Sequence, residues 1–207
     1  AVLDAWPELE AGLLAALDGA GLGTIVDVEV FEFNDGVLTG RRFETRPVPE
    51  AEPAPVGGHS AVVPPPDPRH HHHGSDHHHD ADHHHDSGRE HHATHDHSHR
   101  SYGTIRAWLA DIDLAPGVRE RAQAIFHLLA VAEGKVHGIE PDEVTFHEVG
   151  AWDSIADVVS AAWLLEAIGP TRWYASALPM GRGRIHTAHG ELPVPAPATA
   201  LLLEGFE

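Results

Sequence analysis

The chain has 207 residues, with 13 Lys+Arg against 32 Asp+Glu and 21 histidines, so its formal charge is −19 with imidazole neutral and would move from −19 to +2 if all 21 were protonated. Such an acidic balance argues against sequence-independent nucleic-acid binding, which needs a cationic surface. No apolar stretch reaches the roughly 18 residues of a transmembrane helix, and the lack of cysteine excludes disulfides, thiolate zinc sites and thiol catalysis.

No basic start followed by an apolar run marks a signal peptide, so the cytoplasm is the expected location. Residues 1–46 read as folded. Leu9, Leu13 and Leu17 recur at helical spacing, with Pro7 and Glu8 suited to a first turn and Gly19, Gly21 and Gly23 ending the helix. Thr24 to Phe33 alternates as a strand, although neither face is purely polar: Ile25, Asp27, Glu29, Phe31 and Phe33 oppose Val26, Val28, Val30 and Glu32. Asn34-Asp35-Gly36 is a turn signal, and Val37 to Thr45 returns as the second strand of a hairpin.

Residues 47–69 are rich in Pro, Ala, Gly and Val and read as an extended linker, because proline fixes φ and lacks a backbone donor. Residues 70–99 form a low-complexity insertion in which 15 of 30 residues are histidine and six are acidic. With no apolar side chain larger than alanine, this tract cannot offset its chain entropy and is expected to be disordered without a ligand. Residues 100–207 return to globular composition. A short helix is expected around Ile105, Trp108 and Leu109, and a longer one from Pro116 with Val118, Ala122, Ile125, Leu129 and Ala132 on one stripe, weakened near Gly134. A third helix is expected from Asp153 to Ile168, stopped by Gly169-Pro170. Arg172 to Leu178 suggests a strand, and Ala198 to Leu203 a last helix. The fold class is therefore α/β or α+β, helices on a small sheet with a long His-rich insertion.

Three constellations carry chemistry. The first is the insertion itself: His70, His71, His72, His73, His77, His78, His79, His83, His84, His85, His91, His92, His95, His97 and His99. Neutral imidazole suits nickel, copper and zinc, and many donors on a flexible chain bind them with little selectivity. A solvated spacer with incidental affinity is the plainer reading; an expression tag fits poorly, since the tract is internal and interleaved with aspartate.

The second runs from Phe146 to Asp157. His147, Glu148 and Asp153 lie beside a helix start, and Gly150 permits a sharp turn into it, which suits a metal or polar-substrate site. The plainer reading takes Ser154-Ile155-Ala156-Asp157 as a capping box. Ala151 rules out the His-Glu-x-x-His metalloprotease pattern. The third is Met180 to Gly190, where glycines with Arg182 and Arg184 suggest close approach to a phosphate, and His186 and His189 are candidate ligands or surface imidazoles. His127 and His137 read as structural.

Taken together, Phe146-His147-Glu148-Val149-Gly150-Ala151-Trp152-Asp153-Ser154-Ile155-Ala156-Asp157-Val158-Val159, Leu178-Pro179-Met180-Gly181-Arg182-Gly183, and the run from His186-Thr187-Ala188-His189-Gly190 to Pro197-Ala198-Thr199 strongly resemble the LarC family. Ser101-Tyr102 and Val136-His137-Gly138 fit as well. The resemblance covers most of residues 101–206 and, more loosely, the helix and hairpin before the linker. Members are nickel-insertion proteins that mature the nickel-pincer cofactor of lactate racemase.

The resemblance implies insertion of nickel into a pyridinium-3,5-bisthiocarboxylic acid mononucleotide, a lyase-class cyclometallation dependent on CTP and manganese or magnesium. It also implies an insertion that gathers nickel, a transfer site at His147, Glu148 and Asp153, and Arg182, Arg184, His186 and His189 toward the substrate. Implied partners are the mononucleotide, a carboxy-terminal half of the same family carrying nucleotide binding, and the lactate racemase apoprotein; a homo-oligomer is also compatible. Two departures stand out: members open with a short strand and a Gly-Asp-Met turn, and they continue into a carboxy-terminal domain. The competing expectations are a non-catalytic nickel or zinc storage and delivery module, and an inactive truncated fragment.

Overall fold

The computed structural model describes residues 2–48, 100–147, 149–169, 172–187 and 190–206. The expected linker beyond Val48 and the whole His-rich insertion lie outside these residues. The short helix α1 (Val2–Ala5) buries Leu3, and the Asp4 carboxylate accepts the Arg41 backbone N–H at 2.6 Å, tying the amino-terminal turn to the hairpin. A 3₁₀ turn over Pro7–Leu9 precedes α2 (Glu10–Gly19). Leu13 and Leu17, four residues apart on α2, are almost fully buried; such burial contributes about 1.5–3 kcal/mol per side chain. Gly21, at φ +77°, turns the chain toward the first strand.

Strands β1 (Val26–Asn34) and β2 (Thr39–Pro47) pair antiparallel along their whole length, from Val26 opposite Pro47 to Asn34 opposite Thr39. The expected hairpin is present, with its strands displaced toward the carboxy terminus by about two residues. Its turn is closed by side chains: Asn34 Oδ1 accepts the Gly36 N–H at 2.7 Å, and Asp35 Oδ1 accepts from Val37 and Leu38. The alternation that left either face possible is resolved by packing. Val26, Val28, Val30 and Phe43 face the core, while Phe31 and Phe33 stay on the outer face, where the Arg42 guanidinium lies 5.2 Å from the Phe33 ring centre.

After the insertion, β3 (Arg100–Ser101) pairs antiparallel with β4 (Thr145–Phe146). Between them lie α3 (Tyr102–Asp111) and α4 (Pro116–His137). Ser101 caps α3 by accepting the Thr104 N–H at 3.1 Å, and Pro116 opens α4. The stripe on α4 is rotated from the expected one. Val118, Ala122 and Ala132 are buried as expected, but Phe126 and Ala130 are buried as well, while Ile125 and Leu129 are half-buried. The helix runs on past Gly134 to His137, and the close return of the chain there needs glycine, since a Cβ would meet the Ile139 carbonyl oxygen at 2.8 Å.

Helix α5 (Trp152–Ile168) packs against α2, α4 and the hairpin, burying Ile155, Ala156, Val159 and Ala162, and ends at Gly169 with φ +58°. The strand expected over residues 172–178 does not form: among the described residues every sheet is a two-stranded antiparallel pair, and that segment joins none of them. The described chain ends in the hairpin β5 (Arg184–Thr187) and β6 (Gly190–Pro193), then α6 (Pro197–Leu202), which packs on α4. Antiparallel hairpins beside segregated helices make the fold α+β. No described helix is long and apolar enough to cross a membrane.

Candidate functional site

The turn from His147 to Ala151 joins β4 to α5. His147 follows Phe146 directly and is half-buried; Glu148 lies outside the described residues. Because β4 pairs with β3, Phe146 sits opposite Arg100, the first described residue after the histidine tract. Arg100 holds the turn from above. Its Nη1 donates to the Gly150 carbonyl at 2.9 Å, and its guanidinium lies 4.2 Å from the Trp152 ring centre. Trp152 is buried edge-on against Trp108 at 5.0 Å, so the cation–π contact is partly desolvated and contributes about 1–2 kcal/mol.

Gly150 is required by crowding. A Cβ there would stand 2.8 Å from the Phe146 carbonyl oxygen and 3.1 Å from the Arg100 nitrogen, both backbone atoms. Gly150→Ala is therefore expected to cost about 3 kcal/mol and lower the thermal midpoint by about 5–10 °C. Calorimetry checks this, and an unchanged midpoint would show that the turn is looser than its packing indicates.

The capping-box reading of Ser154 and Asp157 is corrected. The N-cap of α5 is Ala151, in extended conformation and without a side-chain cap, so the helix starts earlier and Asp157 lies well inside it. The reason is Trp152, whose burial draws the first turn into the core. Asp153 occupies that turn, where a carboxylate complements the helix N-terminus, and its Oδ1 accepts the Ser154 N–H at 2.8 Å.

Asp157, one turn further on, accepts the Thr45 hydroxyl of β2 at 3.0 Å. The residue keeps much of its surface, yet burial of its carboxyl pushes its pKa above the usual aspartate range. The Thr45 hydrogen bond pulls it back down, and the Asp153 charge pushes it further up. Thr45 and Arg100, which sequence reasoning passed over, thus bind both segments flanking the insertion to the amino-terminal half of α5. Arg100's position right after the tract was the one available signal.

Among the described residues, no group of three or more His, Asp or Glu gathers as a metal cage. His147 and Asp153 share one turn region, while the fifteen histidines of the insertion, Glu148 and His189 lie outside the described residues. His127 keeps its structural reading, with Nδ1 3.3 Å from the Tyr102 hydroxyl. His137 is in the last turn of α4, 3.5 Å from Glu133.

The second group of candidates is separated by the structure. Arg184 pairs with Glu191 across the β5–β6 hairpin at 3.0 Å, so it braces the hairpin. Arg182 is exposed and has no side-chain partner among the described residues. It sits between Gly183, at φ +112°, and Gly181, where a Cβ would meet Val194 at 2.5 Å. The Val194 N–H also bonds the Gly183 carbonyl at 3.0 Å, holding the loop against the residue just beyond β6. His186 is exposed on β5, opposite Glu191.

The family model described as nickel insertion protein matches residues 5–207. A protein of Geobacter sulfurreducens named for nickel insertion is 55% identical over 108 residues, covering 52% of this chain and 28% of that protein. Its counterpart in Geobacter metallireducens is 56% identical over 108 residues, again covering 52% and 28%. One from Myxococcus xanthus is 47% identical over 108 residues with the same coverage. The chain thus spans less than a third of the length of these curated relatives, and no solved structure matches it. With a family match running through both the crowded His147–Gly150 turn and the Gly181–Gly183 loop, the chain belongs to the nickel insertion protein family.

Proposed function

We propose that the chain is the nickel-handling part of a cytoplasmic cyclometallase that inserts nickel into the pyridinium-3,5-bisthiocarboxylic acid mononucleotide destined for lactate racemase. The observation that supports this reading most is the β3–β4 pairing. It sets Arg100, which directly follows the histidine-rich insertion, opposite Phe146, which directly precedes His147. The tract is therefore joined in sequence to a strand that pairs beside the turn carrying His147.

In this reading, imidazoles of residues 70–99 capture Ni²⁺ and pass it to the His147 turn. The mononucleotide's two thiocarboxylates supply sulfur ligands. As the nickel–carbon bond forms, one pyridinium C–H bond breaks and its proton leaves on Glu148 or His147. Asp153 adds negative charge beside the cation. Arg182 is the better phosphate anchor of the two arginines, since Arg184 is engaged by Glu191. His186, exposed on the same hairpin, and His189 belong to the substrate side. The same reading requires CTP with manganese or magnesium, to which we assign no residue of this chain, and a carboxy-terminal half of the family for nucleotide binding.

The test is mass spectrometry of the mononucleotide incubated with nickel, CTP, manganese, the chain and a family carboxy-terminal half. A product gaining one nickel and losing protons is expected. Arg182→Ala should raise the substrate KM by about tenfold or more, while Arg184→Ala should leave KM nearly unchanged and lower hairpin stability. Equal KM effects at both positions would remove the phosphate assignment.

A further inference from the structure

The turn between β4 and α5 is weakly held by the usual means. The β3–β4 ladder is two residue pairs long, too short to fix a turn by itself. The α5 N-cap, Ala151, offers no side-chain oxygen to the first helical turn. Trp152, the first residue of α5, is only 8% exposed, yet its indole Nε1 has no hydrogen-bond partner among the described residues. The ring is therefore seated by packing and not by a hydrogen bond of its own.

Arg100 compensates at both ends of this turn. Its Nη1 donates to the Gly150 carbonyl at 2.9 Å, and its guanidinium lies 4.2 Å from the Trp152 ring centre. One side chain thus grips the backbone of the turn and the first residue of the helix that follows. A guanidinium stays charged and carries donors without an acceptor, so Arg100 can neither ligate nickel nor accept a proton. Any effect it has on chemistry at the turn runs through geometry.

We propose that Arg100 is the positioning residue for His147, fixing the turn in the one arrangement in which that imidazole receives nickel. The proposal rests on the reading that the His147 turn is the transfer site. Without the guanidinium the turn still forms, because Phe146 and the Trp152 indole remain buried in the core. It samples more arrangements, however, and a displacement of about 1 Å at a reacting group can cost about 100-fold in rate. Substrate binding, which we assign to the Arg182 loop, is left as it was. The loss therefore falls on the rate of transfer and not on KM.

Arg100→Gln and Arg100→Lys in the full chain test this, with Arg106→Gln as the control. Arg106, on α3, makes the same kinds of contact outside the turn: it lies 5.3 Å from the Tyr102 ring centre and 2.8 Å from Asp142. Two properties are measured. One is single-turnover nickel insertion with a family carboxy-terminal half. The other is the NMR signals of the His147 ring, assigned against His147→Ala, which require no turnover. Arg100→Gln should lower the insertion rate at saturating nickel by about tenfold or more, leave the substrate KM within about twofold, and shift the His147 signals. Arg100→Lys keeps the charge over the indole and a donor, so it should recover the rate to within about threefold of the parent and return the signals toward their parental positions. Arg106→Gln should change neither property. His147 signals that stay in place in Arg100→Gln overturn the proposal. So does a parental insertion rate in that variant, or an equal loss in Arg106→Gln. A parent chain that inserts no nickel overturns the transfer-site reading instead, and the His147 signals alone then decide whether Arg100 positions the ring.

Discussion

His147→Ala is expected to lower nickel insertion by at least about 100-fold while leaving the fold intact, the range in which loss of a positioned acid–base or ligand group falls. The chemical reason is position. His147 is the first residue after β4, and the strand pairing holds β4 against the segment that emerges from the histidine tract. Arg100 clamps the same turn through the Gly150 carbonyl and the Trp152 ring, so an imidazole there is held on a rigid frame. The residue is only half-buried, so a thermal midpoint within a few degrees of the parent is expected. Single-turnover insertion at saturating nickel is the measurement. A variant that inserts nickel at the parental rate would remove His147 from the transfer site. A variant slow only at low nickel would make it a capture ligand instead.

Deletion of residues 70–99 separates an insertion enzyme from a storage module. Calorimetric titration should show the loss of several weakly selective nickel sites, since the tract holds 15 of the 21 histidines. Turnover at saturating nickel should remain within about twofold of the parent, and should fall by about tenfold when nickel is scarce, because the tract raises local metal concentration without performing the transfer. Both flanking segments stay anchored, Thr45 to Asp157 and Arg100 to Gly150, so the deletion should not disturb the helices. In the parent, nickel binding by the tract should persist above about pH 6.5 and weaken as pH falls through it, since protons compete for the same imidazole nitrogens. A pure storage module would instead show no insertion turnover with or without the tract, and deletion would abolish only its nickel storage.

The readable parts of this protein were those governed by short-range rules. Asn34-Asp35-Gly36 announced the hairpin because its side chains close the turn locally. Pro116 and Gly169 bounded helices because φ preferences act on single residues. The start of α5 was misread because the signal of Ser154 and Asp157 is local, whereas the buried indole of Trp152, two residues before Ser154, is a tertiary effect. Arg182 and Arg184 looked equivalent in a Gly-x-Gly run; only the cross-strand neighbour of Arg184, set by hairpin register, distinguished them. Residues 172–178 read as a strand, but a local preference cannot supply the neighbouring edge that a strand needs.

By itself the sequence determined the segregation of the histidines into one acidic, apolar-poor tract, the helix–hairpin opening, and the motif run that resembles nickel insertion proteins. These follow from composition, periodicity and covalent order, which need no knowledge of what lies across space. Only the tertiary structure decided which face of β1 is buried, that Gly150 is demanded by two backbone atoms, and that Thr45 and Arg100 seat both flanks of the insertion on α5. Each of those is a contact between residues far apart in the chain. Such contacts are selected by the packing of the whole core, which no local pattern encodes.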